Sequence, residues 1–246
     1  IIKIQNAENG PKDFLARDGH LVGHPGEDGG THVVAAVEAL GPAGTAGDEL
    51  GALGDAGGLV TGDSALSERI AKLRIHGEDE PGLYHELGVN SRMDALQAVA
   101  LSIKLRHLER WTRARRERAL HYDALFASRG AVSGDASLSD GNLSLRTSPP
   151  LPEPGRHTYH RYIVRVPKDK RAALIAALDQ QGIASEIYYP RGLHQQPALA
   201  DFAPREGLPQ TERATCETLA LPLYPELEFD DIERVVDTIS ETLKIL

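Results

Sequence analysis

The segment "GDELGALGDAGGLVTGD" (residues 47–63) marks a change in the character of the chain. Before it, glycine recurs every few positions, Phe14 is the only aromatic residue, and "THVVAAVEALG" (31–41) is the one clean helical or buried stretch. After it, the apolar residues fall into regular periods. Gly51, Gly54, Gly57 and Gly58 do not have the dinucleotide-binding spacing G-x-G-x-x-G, and no Lys-Ser/Thr follows them as in a phosphate-binding P-loop. Spacing alone leaves two readings, a loop that cradles phosphate and a turn that needs glycine geometry.

Outward from this segment, "GLVT" (58–61) predicts a short strand. "GDSALSERIAKLRIHG" (62–77) predicts a helix with Asp63 or Ser64 as N-cap, Leu66, Ile70 and Leu73 on one face, and Gly77 as its stop. A loop follows over 78–91. Apolar residues at helical spacing then run through Met93, Leu96, Ala100 and Ile103 to Leu108, Trp111, Tyr122 and Leu125, which predicts one long helix or a kinked pair. Residues 128–156 are rich in Ser, Gly and Pro and read as a surface connection with room for one short strand. "TYHRYIVRV" (158–166) alternates as a strand, "DKRAALIAALDQQG" (169–182) reads as a capped amphipathic helix ending at Gly182, and "IASEIYY" (183–189) reads as a second strand. "LPQTERATCETLALPL" (208–223) is a helix leading into an apolar stretch. The closing "FDDIERVVDTISETLKIL" (229–246) places Ile232, Val235, Val236, Ile239 and Leu243 on one helical face. From residue 157 onward the pattern is α+β, with helices covering one side of a small sheet.

Composition excludes several classes. A chain of 246 residues can bury roughly 70–75% of its unfolded surface, enough for a real core. Apolar content of 41% and charged content of 26% are those of a soluble globular protein, and no apolar run is long enough to span a bilayer. No membrane partner is therefore expected. The N-terminal residues lack the apolar core and cleavage site of a signal peptide, and the single cysteine, Cys216, forms no internal disulfide. Both point to a cytoplasmic protein. A formal net charge of −9 argues against nucleic acid as a partner, because phosphate binding needs a basic face.

Few motifs carry chemistry by themselves. His20, His24 and His32, with Asp18, Glu27 and Asp28 nearby, put no two ligands on one defined element, so a solvated polar loop is preferred to a metal site. The basic run "RWTRARRER" (110–118) spreads around a helix and reads as a solvated face, partly paired to Glu109 and Glu117. No G-x-S-x-G nucleophile elbow is present. "LYHELGVNSRMDALQA" (83–98) says more. It puts Asn90 and Arg92 just before an amphipathic helix, where backbone N–H groups and the helix dipole favour an anion. Its plainer reading is that Asn90 or Ser91 caps that helix.

Taken together, residues 50–77, 84–126, 158–166, 182–199 and 218–239 resemble, in order and in spacing, the DegT/DnrJ/EryC1/StrS sugar aminotransferases, which depend on pyridoxal 5'-phosphate. The resemblance covers residues 50–246. It implies an α/β fold, with an incomplete large domain of the fold-type-I pyridoxal-phosphate transferases followed by a C-terminal α+β small domain. The corresponding divisions are residues 1–57, a degenerate remnant of the large cofactor-binding domain; 58–127, the end of that domain and its connecting helices; and 128–246, the small domain. The implied substrates are a keto-sugar nucleotide and an amino donor such as glutamate, in amino-sugar biosynthesis for a polysaccharide or glycosylated product, and the implied assembly is a homodimer.

By position, Asn90 in "GVNSR" matches the family's asparagine that reaches the cofactor phosphate of the neighbouring subunit, and Arg92 is its companion. His160 and Tyr162 in "YHRYIV", with Tyr189, Pro190 and His194 in "YYPRGLH", match segments near the nucleotide-sugar site. The family's Schiff-base lysine falls on Asp48 and its following asparagine on Glu49. No lysine occurs between Lys12 and Lys72. Ala36 stands near the place of the aspartate that pairs with the pyridine nitrogen, and Glu38 is the only acid close by. These departures predict little or no aminotransferase activity for the chain by itself. Three readings follow: an aminotransferase by descent, a non-catalytic homologue that dimerises or complements an intact subunit, and a truncated or frameshifted product.

Overall fold

The computed structural model describes residues 14–17, 20–23, 32–34, 51–54, 56, 59–61, 63–134, 143–147, 157–204 and 206–245. The chain divides into two compact units, Ile1–Glu109 and Arg110–Leu246.

In the first unit, β1 (Phe14–Arg17) and β2 (His20–Gly23) form an antiparallel hairpin with Phe14 opposite Gly23 and Arg17 opposite His20. β3 (His32–Val34) pairs antiparallel with β4 (Leu59–Thr61), the strand expected at "GLVT". His32–Val34 of the 31–41 stretch are thus strand; the rest of it, and Asp48 and Glu49 beyond it, lie outside the described residues. α1 (Ser64–Leu73) starts where Asp63 accepts a hydrogen bond from the Leu66 backbone N–H at 3.1 Å, so Asp63 is the cap.

Past α1 the chain folds back on itself through β5 (Glu78–Glu80) and β6 (Leu83–Tyr84). Gly77 makes this possible. Its φ is +83°, and a Cβ there would stand 1.9 Å from the Glu86 carbonyl oxygen. The returning segment pairs Asn90 with Ile75, Ser91 N–H donates to the Arg74 carbonyl at 2.8 Å, and His76 N–H donates to the Val89 carbonyl at 3.0 Å. Asn90 and Ser91 lie in this pairing, three residues or more before the helix begins, and neither is its cap. Asp94 takes the N-cap position of α2 (Ala95–Leu105). The apolar run that follows is a pair of helices, since α2 stops before Arg106 and α3 (Leu108–Ser128) begins two residues later.

The second unit is built on a four-stranded sheet in the order β10-β9-β8-β7, made of β7 (Val132–Ser133), β8 (Arg146–Thr147), β9 (Tyr162–Arg165) and β10 (Thr218–Leu221). β7 and β8 run parallel, and the other pairs are antiparallel. On β9 the expected alternation holds, with Tyr162 and Val164 buried and their neighbours half-buried. α4 (Lys168–Gln180) turns Leu174 and Leu178 inward, and α5 (Pro209–Glu217) leads into β10. α6 (Phe229–Ile245) buries all five residues assigned to its face. With Tyr122 and Phe126 of α3 these make one continuous core, in which each large apolar side chain contributes about 1.5–3 kcal/mol.

Residues 183–189 depart from the expected strand. They make a single bridge, where Glu186 and Ala220 exchange both backbone hydrogen bonds at 2.8 and 3.2 Å. Beyond Pro190 the chain turns into two short 3-10 segments, Leu193–Gln195 and Pro197–Phe202.

Candidate functional site

The backbone pairing between 73–76 and 89–91 sets out the first candidate group. Asn90 is exposed, and its Oδ1 accepts the Arg92 backbone N–H at 3.4 Å. Arg92 is exposed as well. Arg74, on the opposed strand segment, is half-buried; burial first, and the neighbouring Arg92 guanidinium second, pull its pKa below the ordinary value. Arg74 and Arg92 are thus carried by two segments that the Ile75–Asn90 bridge holds side by side. Asn90 adds an amide to the same segment. For a phosphate group the donor set fits.

A second group lies in the other unit. Tyr189 is 72% exposed and stands edge-on to Tyr188, with ring centroids 5.7 Å apart. The Arg161 guanidinium lies 3.4 Å above the Tyr188 ring, bringing the segment of His160 beside that of Tyr189. His160 itself is half-buried. His194 is nearly enclosed, with Nε2 3.0 Å from Glu212 Oε1. That hydrogen bond, together with one from the Leu208 backbone N–H, holds the Glu212 carboxyl below the usual carboxylate range.

Tyr162 corrects the expectation drawn from its place in "YHRYIV". It is 2% exposed, its ring stacks 4.6 Å from Tyr122, and its hydroxyl donates to Asp123 Oδ1 at 2.6 Å. On β9 the alternation turns Tyr162 and Val164 into the core and leaves Ile163 and Arg165 half-buried. Burial pushes the Tyr162 hydroxyl far above the phenol range, and the adjacent Asp123 carboxyl adds to this. Burial also raises Asp123, partly opposed by the hydrogen bond from Tyr162.

The sequence model of the DegT/DnrJ/EryC1/StrS aminotransferase family matches residues 46–240. The chain belongs to this family. It is 40% identical over 193 residues to a pleiotropic regulatory protein of Geobacillus stearothermophilus, covering 78% of this chain and 48% of that protein. It is 36% identical over 196 residues to the dTDP-3-amino-3,4,6-trideoxy-alpha-D-glucose transaminase of Streptomyces venezuelae, covering 79% of this chain and 48% of the transaminase. Among solved structures it resembles S. venezuelae DesV, with a TM-score of 0.69 and 34% identity over 80% of this chain and 49% of that one. It also resembles a family aminotransferase from Brucella abortus, with a TM-score of 0.68 and 28% identity over 79% of this chain and 48% of that one. The chain thus spans about half the length of the curated relatives it matches. Its fold is an incomplete version of the α/β transferase fold with a C-terminal α+β part, and pyridoxal phosphate is the cofactor expected of the family.

Within the family frame, Asn90 and Arg92 sit in one unit and His160, Tyr162, Tyr189 and His194 in the other. The position of the cofactor lysine, Asp48, is outside the described residues. Sequence reasoning missed Arg74, Arg161 and Glu212. Each gains its place through a long-range contact that spacing along the chain does not encode. Among the described residues no cluster of His, Cys, Asp and Glu is arranged to hold a metal, and no helix is long and apolar enough to cross a membrane.

Proposed function

We propose that the chain is a sugar-nucleotide aminotransferase homologue that binds its substrate and cofactor phosphate but does not by itself complete amino transfer. The family match runs across residues 46–240 while no lysine lies between Lys12 and Lys72, and this observation carries the reading. The amino acceptor is a keto-sugar nucleotide and the donor glutamate. When bound, pyridoxal phosphate supplies the carbonyl that takes up and hands on the amino group, and a ring that holds the electron pair in between. Asn90 and Arg92, backed by the Arg74 charge, hold the cofactor phosphate. His160, Tyr189 and His194 contact the nucleotide sugar, and the buried Tyr162 anchors the strand that follows His160.

The covalent end of the cofactor does not fit this chain. A carboxylate at Asp48 cannot condense with a carbonyl as an amine does, and it brings negative charge toward a group that is itself anionic. No step is derived through that position. The exposure of Asn90 favours a second role, in which the chain pairs with another subunit and lends this amide to its partner's cofactor phosphate.

Calorimetry with UDP-glucose and dTDP-glucose, beside an assay for 2-oxoglutarate released from glutamate and a keto-sugar nucleotide, tests this reading. Nucleotide-sugar binding without release of 2-oxoglutarate is expected. Turnover by the chain alone would overturn it. Light scattering, followed by mixing with an intact family member, tests the paired role; a monomer that leaves the activity of the intact enzyme unchanged counts against it.

A further inference from the structure

α2 is patterned the wrong way round for a surface helix. Among its eleven residues, Ala95–Leu105, the polar ones are Gln97, Ser102 and Lys104, and each of these side chains has a partner inside the first unit. Gln97 Oε1 accepts the Leu53 backbone N–H at 2.8 Å, Lys104 Nζ donates to the Gly51 carbonyl, and Ser102 Oγ turns back to the Ala98 carbonyl at 2.7 Å. The polar groups are spent on the 51–54 loop and on the helix itself. Leu96, Val99 and Ile103, spaced i, i+3 and i+7 along one stripe, are instead 79%, 57% and 54% exposed. A surface helix turns its apolar stripe inward and its polar groups to water, and a helix that is apolar nearly all round belongs in a core. Buried side chains on α2 are Ala98 and Leu101. The helix therefore has the composition of one covered on two sides, and its outward side is bare.

The strands of the same unit are unfinished too. Among the described residues they pair two by two, β1 with β2, β3 with β4 and β5 with β6. An isolated pair of strands is marginally stable in water, and its outer edges present backbone groups without a ladder. The size of what is missing follows from the relatives. Residues 46–240 match the family, residues 1–45 lie outside the match, and in the relatives the matched part is joined to as much chain again. A second copy docked through α2 alone fits poorly. A helix of this length is about 16 Å long, and one face of it buries much less than the roughly 800 Å² per partner of a stable interface.

We propose that the outward stripe of α2 docks the half of the family's α/β large domain that the match leaves out, supplied by another polypeptide. That half lays an apolar layer over Leu96, Val99 and Ile103 and adds strands to an open edge of the first unit. This partner differs from an intact subunit that borrows Asn90, because it completes the first unit itself. The inference rests on family membership and on α2, and does not depend on cofactor or substrate binding.

The full chain is co-expressed with the half of the G. stearothermophilus protein, or of the S. venezuelae transaminase, that lies outside the match, with the tag on that half. Copurification and light scattering should show a one-to-one complex. L96S/V99S/I103S should weaken it about tenfold or more, while L120S, at a position 62% exposed on α3 in the second unit, should leave it unchanged. Hydrogen exchange of the wild-type chain, which needs no variant to fold, should slow across α2 in the complex. No complex with either half, a complex in which α2 exchanges as fast as in the chain alone, or one indifferent to the triple variant would overturn the proposal. So would a dimer of the chain alone that the triple variant dissociates, since a second copy would then occupy the stripe.

Discussion

The two units of the chain hold their residues in different ways. In Arg110–Leu246, side chains from α3, α4, α6, β9 and β10 meet in one continuous core, and Phe126, Leu174, Ile232 and Ile239 are fully enclosed. In the first unit α1 encloses no side chain at all and α2 encloses only Ala98 and Leu101. On α2, Leu96, Val99 and Ile103 are more than half exposed, and so is Leu87 in the segment before it. What fixes the described part of the first unit is backbone pairing between 73–76 and 89–91 and the close approach at Gly77. The second unit is held by a packed apolar core, whereas residues 64–105, as far as they are described, rest more on hydrogen bonds and turn geometry than on buried apolar side chains.

That contrast can be broken by substitution. Phe126→Ala should cost about 3–5 kcal/mol by leaving a cavity in the second unit. Trp111, the single tryptophan, lies in that unit and reports its unfolding by fluorescence in guanidinium. Gly77→Ala should cost about 1–3 kcal/mol or more, from its positive φ and the clash with the Glu86 carbonyl. Its signature is faster amide exchange at His76 and Val89 with the tryptophan transition unmoved. Asp123→Ala leaves the buried Tyr162 hydroxyl without its acceptor and should cost about 1–3 kcal/mol, while Asp123→Asn keeps the acceptor and should be nearly neutral.

Asp123→Asn should also change the pH profile. Because burial raises the Asp123 carboxyl, the fold binds that proton more tightly than the unfolded chain does. Its contribution to stability is present below the ordinary carboxylate pKa and is lost as pH rises through the raised value. Stability of the asparagine variant relative to wild type should therefore increase on going from about pH 3 to pH 7. Denaturant midpoints for both proteins across that range check the sign. The smallest effect belongs to Leu96→Ala, expected to stay within about 0.5 kcal/mol because the side chain is 79% exposed. A larger loss would mean that something covers α2 in solution.

Much of this was legible from pattern. The helices at 64–73, 168–180 and 229–245 and the strand at 162–165 follow their apolar periods, and Asp63 caps α1 as its position suggests. The family was legible because several motifs occur in order. Local patterns mislead where a distant partner decides the outcome. Asn90 and Ser91 look like helix caps, yet Ile75 and Arg74 take up their backbone groups. Tyr162 looks like a site residue, yet strand alternation turns it into the core, where Asp123 satisfies its hydroxyl. Residues 183–189 have strand composition but meet β10 at one residue only. Glu212 lies 18 residues from His194 and gives no sequence signal at all.

The proposed reading joins a family match over residues 46–240 to a stretch, between Lys12 and Lys72, that contains no lysine to hold the cofactor. The full chain is titrated with pyridoxal phosphate, followed by absorbance, reduced with borohydride and mapped by peptide mass. The account predicts cofactor held only through its phosphate, weakened in Arg92→Ala, and no single lysine modified in proportion to protein. One lysine carrying the reduced cofactor at full stoichiometry, with the absorbance band to match, would contradict it.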